Sequence, residues 1–551
     1  MQIDFLYYEK LGGQTMAATL TTPTWRQIIL PFEISCDYPN PFLDVSIKAE
    51  FTGPKGRKII REAYWDGGRS YRIAFAPTAV GIWRWCIHAP KETGLNGITG
   101  QLDCVPYEGD LAIYRHGFLK ISPSRSHITY QDGTPFFWLG DTHWAFAYGE
   151  RWEESNHPDM DSMFRGMADR RMQQGFTVYQ TNLRADFGRD GTPSPYWEVD
   201  QEGILPNIDF YQNELDRRMY YLADCGFVNA LGFAWFMAIL DKIPVWKNLA
   251  RYIAARYGAL PVVWTLAGEV AGYAPDPMRS RLIDDWRQVA LYLEEIDSYH
   301  TLQTAHYDNR RPFSDYYYEE DWYDFTLNQA GHGDCPIDVK DFHEYRRTHP
   351  DKPFVEGECL YEFCSTLEEN GSRLCTADMV RRVAYTAIQS GACGYTYGAQ
   401  GIWDNVWEKP ETPDPFNPFN RFGIPWYESV DGIGAIQMGY LRRFYEEEHF
   451  ETLFPVPAAA VSPFGILTEI DMFSPLAAAD VDRRHIIIYY NEHTRGGCRI
   501  EIPHSDSFHA CWFDPRTGQR KALDSPLYPA DGYLDCPGRP AGEDWLFTLQ
   551  A

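Results

Sequence analysis

The central part of the chain alternates between short apolar runs and amphipathic segments, and this alternation limits the fold more than any other feature. Eight apolar runs recur between about residues 118 and 454. Strands that are buried on both faces and separated by helices are typical of a parallel sheet. In chain order, runs 1 to 8 are Pro135–Trp144, Gly175–Leu183, Gly226–Trp235, Pro261–Glu269, Thr301–Tyr307, Trp322–Gly331, Lys352–Glu358 and Gly391–Trp403.

The segments between the runs complete the pattern of a barrel. Segments with apolar residues at helical spacing precede runs 2, 3, 4, 5 and 8, and they cover residues 159–174, 209–225, 245–258, 277–297 and 376–390. Eight strand–helix repeats over ~330 residues match an α/β fold, the TIM (β/α)8 barrel with insertions. The alternative is an open doubly wound sheet, but no glycine-rich phosphate-binding turn follows run 1.

The two ends of the chain differ from this middle part, because both contain short alternating runs broken by turn signals. Residues 42–53 alternate apolar and polar positions, and residues 514–519 are a turn signal between two later runs. We therefore predict three domains. They are an N-terminal antiparallel β-sandwich over residues 1–110, the TIM barrel over 111–454 and a small C-terminal antiparallel β-domain over 455–551.

The charge and composition of the chain narrow its partners. The formal net charge is -27, which argues against nucleic acids and anionic membranes, because both need basic surfaces. No stretch approaches the ~18 consecutive apolar residues that a membrane-spanning helix needs. The 12 cysteines include no CxxC pair, and the start lacks the pattern of a signal peptide. We expect a cytoplasmic protein that binds a neutral or cationic ligand. The sequence does not decide whether it forms a homo-oligomer.

Polar and aromatic side chains stand at the ends of the runs, where a barrel places its active site. Run 4 ends in Glu269 and run 7 in Glu358. The other candidates for contact with a ligand are Asp141, His143 and Trp144 of run 1, Asn182 of run 2, Trp235 of run 3, His306 of run 5, His332 after run 6, and Tyr397 and Trp403 of run 8; Arg184 and Gln329 stand beside them.

The two glutamates indicate one kind of chemistry. Paired carboxyl groups are the usual apparatus of glycoside hydrolysis, in which one group donates a proton to the leaving oxygen and the other stays ionised. A single glutamate after a strand is more often a solvated loop residue or a helix-cap partner. Two glutamates that each follow a glycine, at runs 4 and 7, are a rarer combination. Glu356, two residues before Glu358, shares its face of the strand, one layer deeper.

Each of the other candidates has a structural alternative. Asp141 could cap a helix, and the histidines could be buried structural residues. The tryptophans are as often core residues as platforms for a sugar ring. The histidines lack metal-ligand spacing such as HExxH, and the chain has no GxSxG serine elbow. We therefore expect no metal and no other cofactor.

These motifs resemble those of the apiosidase-like glycoside hydrolases, barrel enzymes of a large retaining clan. Runs 1 and 8 resemble the first and last barrel strands of that family, and residues 426–444 resemble the helix that closes the barrel. The two ends of the chain resemble its companion β-domains. Run 4 resembles the strand with the catalytic acid and run 7 the strand with the nucleophile. The resemblance implies that Glu269 is the acid/base and Glu358 the nucleophile. Family members often have Asp in place of Glu269 and Asn in place of Glu356.

The expected function is therefore that of a retaining, exo-acting glycoside hydrolase. Its substrate would be a plant or microbial oligosaccharide or glycoside with a pentose, furanose or related sugar. The Pro-rich segment Asp404–Trp426 is a candidate for a loop that blocks further subsites. Two rival hypotheses are a catalytically inactive barrel that binds carbohydrate and a metal-dependent hydrolase. Release of phenol from aryl glycosides would distinguish an active glycosidase from the inactive barrel. Sensitivity to chelators would indicate the metal-dependent hydrolase.

Overall fold

Seven of the eight apolar runs form strands of one curled parallel sheet. The computed structural model describes residues 20–147, 149–183, 205–272, 274–308, 313, 316–333, 337–366, 373–412, 421–457, 460–462 and 474–551. Across the sheet the order of the runs is 4, 3, 2, 1, 8, 7, 6. In chain order the strands are Trp138–His143, Val178–Asn182, Val228–Trp235, Val262–Gly268, Thr326–Gln329, Phe354–Glu358 and Gly394–Tyr397.

Run 5 lies between the two edge strands of this sheet but pairs with them only at single bridges. Gln303 is a parallel partner of Trp264 in run 4, and His306 is a parallel partner of Leu327 in run 6. The Thr304 amide donates to the Trp264 carbonyl at 2.8 Å. The prediction of a regular fifth strand is therefore met only in part.

The five predicted helices are confirmed, and two further long helices are present. The helix before run 3 contains a π-helical turn at Tyr211–Leu215. The helix before run 7 was not predicted, because it is short and polar and its apolar face has only Val339, Phe342 and Tyr345. The longer helices are Met163–Gln173, Ile208–Phe210 continued by Asp216–Asp224, Ile243–Tyr257, Met278–Ile296, Val339–Thr348, Ala377–Gln389 and Ile433–Glu447.

Short helices lie in the connections. The α-helical turns are Pro41–Asp44, Ala112–Arg115 and Trp426–Ser429, and the 3-10 turns are Pro54–Gly56, Phe236–Ile239 and Phe450–Thr452. Of the helices in the described ranges, none combines the length and the apolar character that crossing a membrane requires.

A β-hairpin closes the amino-terminal end of the curled sheet. Its strands, Leu119–Ile121 and Ile128–Tyr130, pair antiparallel. The hairpin shares one core with apolar residues from the start of the sheet strands, among them Trp138, Val178 and Val355. We call this the basal plug. The plug fills one end of the sheet interior, and the polar strand ends lie at the opposite end.

Two sheets pack face to face ahead of the central sheet. Phe51 of one sheet stacks on Phe75 of the other, with ring centroids 3.8 Å apart. One pairing departs from the predicted antiparallel pattern, because Leu20–Pro23 runs parallel to Thr99–Val105. In sheet order the strands are Leu20–Pro23, Thr99–Val105, Gly81–His88, Lys48–Thr52 and Lys58–Glu62 in the first sheet, and Ile28–Glu33, Ser70–Phe75 and Tyr64–Trp65 in the second.

Two antiparallel sheets follow the central sheet and have a core of their own. In sheet order the first has Phe454–Pro455, Leu476–Ala479, His485–Tyr490, Trp545–Gln550, His509–Asp514 and Gln519–Ala522. The second has Val461–Ser462, Cys498–Glu501 and Tyr533–Cys536.

A buried cluster of charges joins the first sandwich to the central part. Arg256 donates to both oxygens of Asp216, from Nε at 2.7 Å and from Nη2 at 2.5 Å. Its Nη1 donates to Asp66 Oδ1 at 2.9 Å, and Arg72 Nε lies 2.5 Å from Asp66 Oδ2. We call these four residues the Arg256 cluster.

Candidate active site

Glu269 and Glu358 stand at the carboxyl ends of runs 4 and 7, at the same end of the parallel sheet. Glu358 is 7% exposed, and Glu269 is partly buried. One side-chain amide joins them, because Gln329 Nε2 lies 2.8 Å from Glu358 Oε1 and 3.4 Å from Glu269 Oε1. The two carboxyl groups therefore face one site.

The backbone leaves regular strand geometry just before Glu269. Leu266 and Glu269 have φ of 58° and 48°, and the pairing between runs 3 and 4 shifts register nearby. A side-chain-bearing residue in this left-handed region costs roughly 1–3 kcal/mol. A Cβ on Gly268 would lie 2.3 Å from the Trp235 ring. Gly268 therefore makes room for Trp235, which stands at the end of the neighbouring strand of run 3.

Glu358 is held in its ionised form. His332 Nε2 lies 3.0 Å from its Oε1, and His306 Nε2 lies 3.2 Å from its Oε2. Burial alone would raise the pKa of Glu358, but the hydrogen bonds and charges of His306 and His332 outweigh it and lower the pKa well below its usual range. At neutral pH the carboxylate is available as a nucleophile.

Glu269 is shifted in the opposite direction. Burial and the negative charge of Glu358 raise the pKa of Glu269 to about 7. Near neutral pH a large share of this group is therefore protonated and can donate a proton. Two neighbouring carboxyl groups with pKa values pushed apart are the arrangement that separates a general acid from a nucleophile.

Four predicted ligand contacts form an aromatic and imidazole wall beside Glu358. Trp144 packs edge-on against Trp235 and against His306, with ring centroids 5.5 Å and 5.3 Å apart. On the other side of Glu358, His332 packs against Tyr361, with ring centroids 5.0 Å apart. Tyr361 also packs against a fifth predicted ligand contact, Trp403, with ring centroids 6.2 Å apart.

Asp141 and His143 need a correction, because both are 0% exposed and have partners inside the protein. His143 bonds Asp141 at 2.9 Å and Glu150 at 2.7 Å through its two ring nitrogens. Arg171 Nε lies 2.5 Å from Asp141 Oδ2, and Tyr179 donates to Glu150 at 3.0 Å. Burial opposes ionisation of Asp141, but the charges of Arg171 and His143 lower its pKa. These residues form a buried ion-pair network rather than the predicted surface for a sugar.

Tyr397 and Asn182 also have protein partners. The Tyr397 hydroxyl donates to Glu362 Oε2 at 2.5 Å, and the whole Tyr397 side chain is buried. The predicted contact of Tyr397 with a sugar stays a prediction. Asn182 Nδ2 donates to the Ala234 carbonyl at 3.1 Å, and its contact with a sugar stays a prediction.

Sequence reasoning assigned no role to two residues that the structure places in the site. Gln329 bridges both glutamates, and it satisfies the same criterion as the others, a polar side chain at the end of a run. Tyr361 lies beside Glu358. Burial is the largest cause that raises the pKa of the Tyr361 phenol, and the negative charge of Glu358 is the second. Tyr361 comes three residues after the end of its run, where the strand-end criterion no longer applies.

Two predictions fall on residues that lie outside the described ranges. These are Arg184 and the part of the Pro-rich segment at 413–420. Among the described residues, no group of three or more His, Cys, Asp or Glu side chains is arranged to hold a metal ion.

Comparison of the sequence with protein families matches two models. Residues 122–452, more than half of the chain, match the family described as apiosidase-like, catalytic domain. Residues 21–90 match a domain of unknown function, DUF5060. Comparison with curated protein sequences gives no match.

Solved structures resemble most of the chain at low sequence identity. A candidate glycoside hydrolase from Bacteroides vulgatus has a TM-score of 0.70 and 17% identity, with 97% of this chain and 100% of that chain covered. A second structure, a glycoside hydrolase, has a TM-score of 0.63 and 20% identity, with 79% and 97% covered. A glycoside hydrolase family 5 protein from B. vulgatus has a TM-score of 0.60 and 18% identity, with 79% and 94% covered.

At these identities the structural matches establish a shared fold, and the family match over the central part establishes membership. The chain belongs to the apiosidase-like family of glycoside hydrolases.

Proposed function

We propose that this glycosidase cleaves its substrate by double displacement, with Glu358 as the nucleophile and Glu269 as the acid/base. The observation that carries the proposal is the pair of carboxyl groups on one Gln329 amide, one ionised and the other with a pKa of about 7. Burial raises the pKa of both groups; the charge of Glu358 adds to this rise at Glu269, whereas the contacts of Glu358 with His306 and His332 reverse it at Glu358.

The first half of the reaction forms an ester on Glu358. A carboxylate oxygen of Glu358 attacks the anomeric carbon, and the bond from that carbon to the leaving oxygen breaks. The leaving oxygen takes the proton of Glu269 and departs as an alcohol. In the second half, the Glu269 carboxylate accepts a proton from water while the water oxygen attacks the same carbon and releases Glu358.

Retention of anomeric configuration is supported by the geometry around Gln329. Its Nε2 lies 3.4 Å from Glu269 Oε1 and 2.8 Å from Glu358 Oε1, so these two oxygens are at most about 6 Å apart. Retaining glycosidases separate their carboxyl groups by about 5–5.5 Å, and inverting ones by about 6.5–9.5 Å, to admit a water. This bound holds for one oxygen of each carboxyl group and lies below the inverting range, which supports the proposal of direct attack by Glu358.

We further propose that the sheet is a complete eight-stranded barrel in which run 5 takes the place of the fifth strand. The bridges of Gln303 to run 4 and of His306 to run 6 support this arrangement. In such a barrel all the run ends surround one mouth. His306 then enters the site from the fifth position and reaches Glu358.

The proposed substrate is a neutral glycoside with a pentose, furanose or related sugar at the cleaved bond. The enzyme would remove this sugar from the end of the saccharide chain. Trp235 and Trp403 are the partly exposed rings of the aromatic wall. Such rings suit the apolar face of a sugar. His306, His332 and Trp144 complete the proposed contacts.

The test uses aryl glycosides of pentoses and hexoses and measures released phenol. We expect turnover by the wild-type protein and nearly none by Glu269→Ala or Glu358→Ala with an unactivated leaving group. A 2-deoxy-2-fluoro glycoside should add the mass of one glycosyl group to Glu358, and NMR of early product should show the original anomer. Full activity of both variants would contradict the proposal, and first-formed product of inverted configuration would contradict the retaining mechanism.

A further inference from the structure

Glu356 is a second buried glutamate of run 7, and the chemical roles above do not use it. It is 0% exposed, so a sugar in the site does not reach it. Its Oε1 accepts from the Ala330 amide at 2.9 Å, and its Oε2 accepts from Asn328 Nδ2 at 2.7 Å. These two partners are the neighbours of Gln329 on either side.

The pairing of runs 6 and 7 contains a bulge at the same place. Asn328 pairs with Glu356, but the next residue, Gln329, pairs with Glu358, so Gly357 is skipped. A Cβ on Gly357 would lie 2.5 Å from Leu327 Cδ1, which leaves room only for glycine. Bulges of this kind redirect side chains. Without the skipped residue, Gln329 would lie opposite Gly357 and not opposite Glu358.

We propose that Glu356 is a positioning residue that fixes this bulge and thereby aims the Gln329 amide at Glu358 and Glu269. It bonds the chain on both sides of Gln329, so the end of run 6 cannot slide along run 7 without breaking both hydrogen bonds. The inference rests on the proposed function, because Gln329 matters only if the two carboxyl groups react.

The charge state of Glu356 is compatible with this role. Burial raises the pKa of Glu356 to about 8, although the amides of Asn328, Ala330 and Glu358 favour the ionised form. At neutral pH the group is therefore mostly neutral and adds little negative charge beside Glu358.

The kinetic test compares variants of Glu356 with variants of Gln329. We expect Glu356→Ala to lower kcat/KM roughly 10²-fold, the effect of a displacement of about 1 Å in a catalytic group. Glu356→Gln keeps the shape and one of the two acceptor oxygens, so it should stay within roughly tenfold of wild type, the size of one lost neutral hydrogen bond. In a Gln329→Ala background, Glu356→Ala should cost nothing further, because both changes remove one function. Losses that multiply in the double variant would overturn the proposal.

The structural test does not depend on turnover. Crystal structures should show Gln329 Nε2 within hydrogen-bond distance of Glu358 in wild type and in Glu356→Gln, and displaced in Glu356→Ala. Glu362→Ala is the matched control, since Glu362 is a buried glutamate near the same strand ends that bonds Tyr397 and the Gly434 amide. It should lower thermal stability and leave Gln329 in place.

The two tests separate the two claims. If wild type hydrolyses no glycoside but Gln329 moves in Glu356→Ala, the proposed function falls and the positioning role stands. If wild type is active and Gln329 does not move, the positioning role falls. Should Glu356→Ala not fold, Asn328→Ala removes one of the same hydrogen bonds from the other strand. An unmoved Gln329 and unchanged kcat/KM in that variant would also overturn the proposal.

Discussion

The Arg256 cluster and the active site both bury carboxylates, but they balance the charge in different ways. In the cluster, burial works against the charge of Arg256, yet the charge of Asp216 raises the pKa of Arg256 well above its usual range. A guanidinium is always charged, so both aspartates of the cluster face a permanent cation. In the candidate site, two imidazoles and one neutral amide bond Glu358, and the same amide is the hydrogen-bond partner of Glu269 among the described residues.

This difference separates the structural carboxylates of the cluster from the carboxyl groups that we propose to react. Burial is common to both regions, so burial does not mark the site. Among the residues that the structure describes, no arginine or lysine forms an ion pair with Glu269 of the candidate site, and its raised pKa lets this carboxyl group gain and lose a proton near neutral pH. The predictions below test this contrast.

The largest effect should come from removing the ionised group of the site. We expect Glu358→Gln to lower kcat on the order of 10⁴- to 10⁶-fold, the loss seen when a nucleophile is removed. We expect only a small change in the thermal stability of Glu358→Gln. Glu362→Gln is the matched control, because Glu362 is also buried but bonds Tyr397, and its kcat should remain within roughly tenfold of wild type. A Glu358→Gln protein with near-normal kcat would remove the contrast altogether.

The proton donor should have the next largest effect, and the size should depend on the leaving group. We expect Glu269→Ala to lower kcat/KM roughly 10²- to 10⁴-fold for an alkyl glycoside, the usual contribution of general acid catalysis. For a dinitrophenyl glycoside the loss should be much smaller, because that leaving group departs without a proton. Equal losses for both substrates would show that Glu269 does not act as the acid.

Breaking the Arg256 cluster should affect stability and leave the chemistry intact. We expect Asp216→Ala to lower the free energy of unfolding by about 3–5 kcal/mol, since it leaves a buried guanidinium without its bidentate partner. Measured well below the melting temperature, kcat/KM should stay near the wild-type value. Loss of activity in a folded Asp216→Ala protein would contradict the division between the two regions.

The smallest effect is a pH dependence that only the site should show. In the proposed mechanism the acid form of Glu269 is the active form, so kcat/KM should fall about tenfold per pH unit above about pH 7, where Glu269 loses its proton. Glu358 must be ionised, and its lowered pKa moves the acid limb below the usual range of a glutamate. The basic limb should disappear in Glu269→Ala assayed with an activated substrate. A basic limb that persists there would assign it to another group.

The sequence predicts that Glu269 and Glu358 come together because the relevant signals are local. Runs 4 and 7 each end in glycine and glutamate, and parallel strands bring such ends together. Trp144, Trp235, His306, His332 and Trp403 follow from the same rule, and all five lie along the wall beside Glu358.

What the sequence did not predict depends on partners far away in the chain. Asp141 is neutralised by Arg171, which sits on the helix Met163–Gln173 and points inward although arginine is usually exposed. Tyr397 is bonded by Glu362, which follows no periodic pattern. Run 5 forms only bridges, and one reason is that the Thr304 hydroxyl takes the Phe325 carbonyl at 2.6 Å in place of a backbone amide.

The basal plug has a consequence for the route to the site. The hairpin and the first residues of the strands fill one end of the sheet interior, so a substrate of the proposed reaction would reach the two glutamates from the opposite end. The departing alcohol and the incoming water would then share that side of the sheet. We expect an added alcohol to compete with water for the sugar held on Glu358.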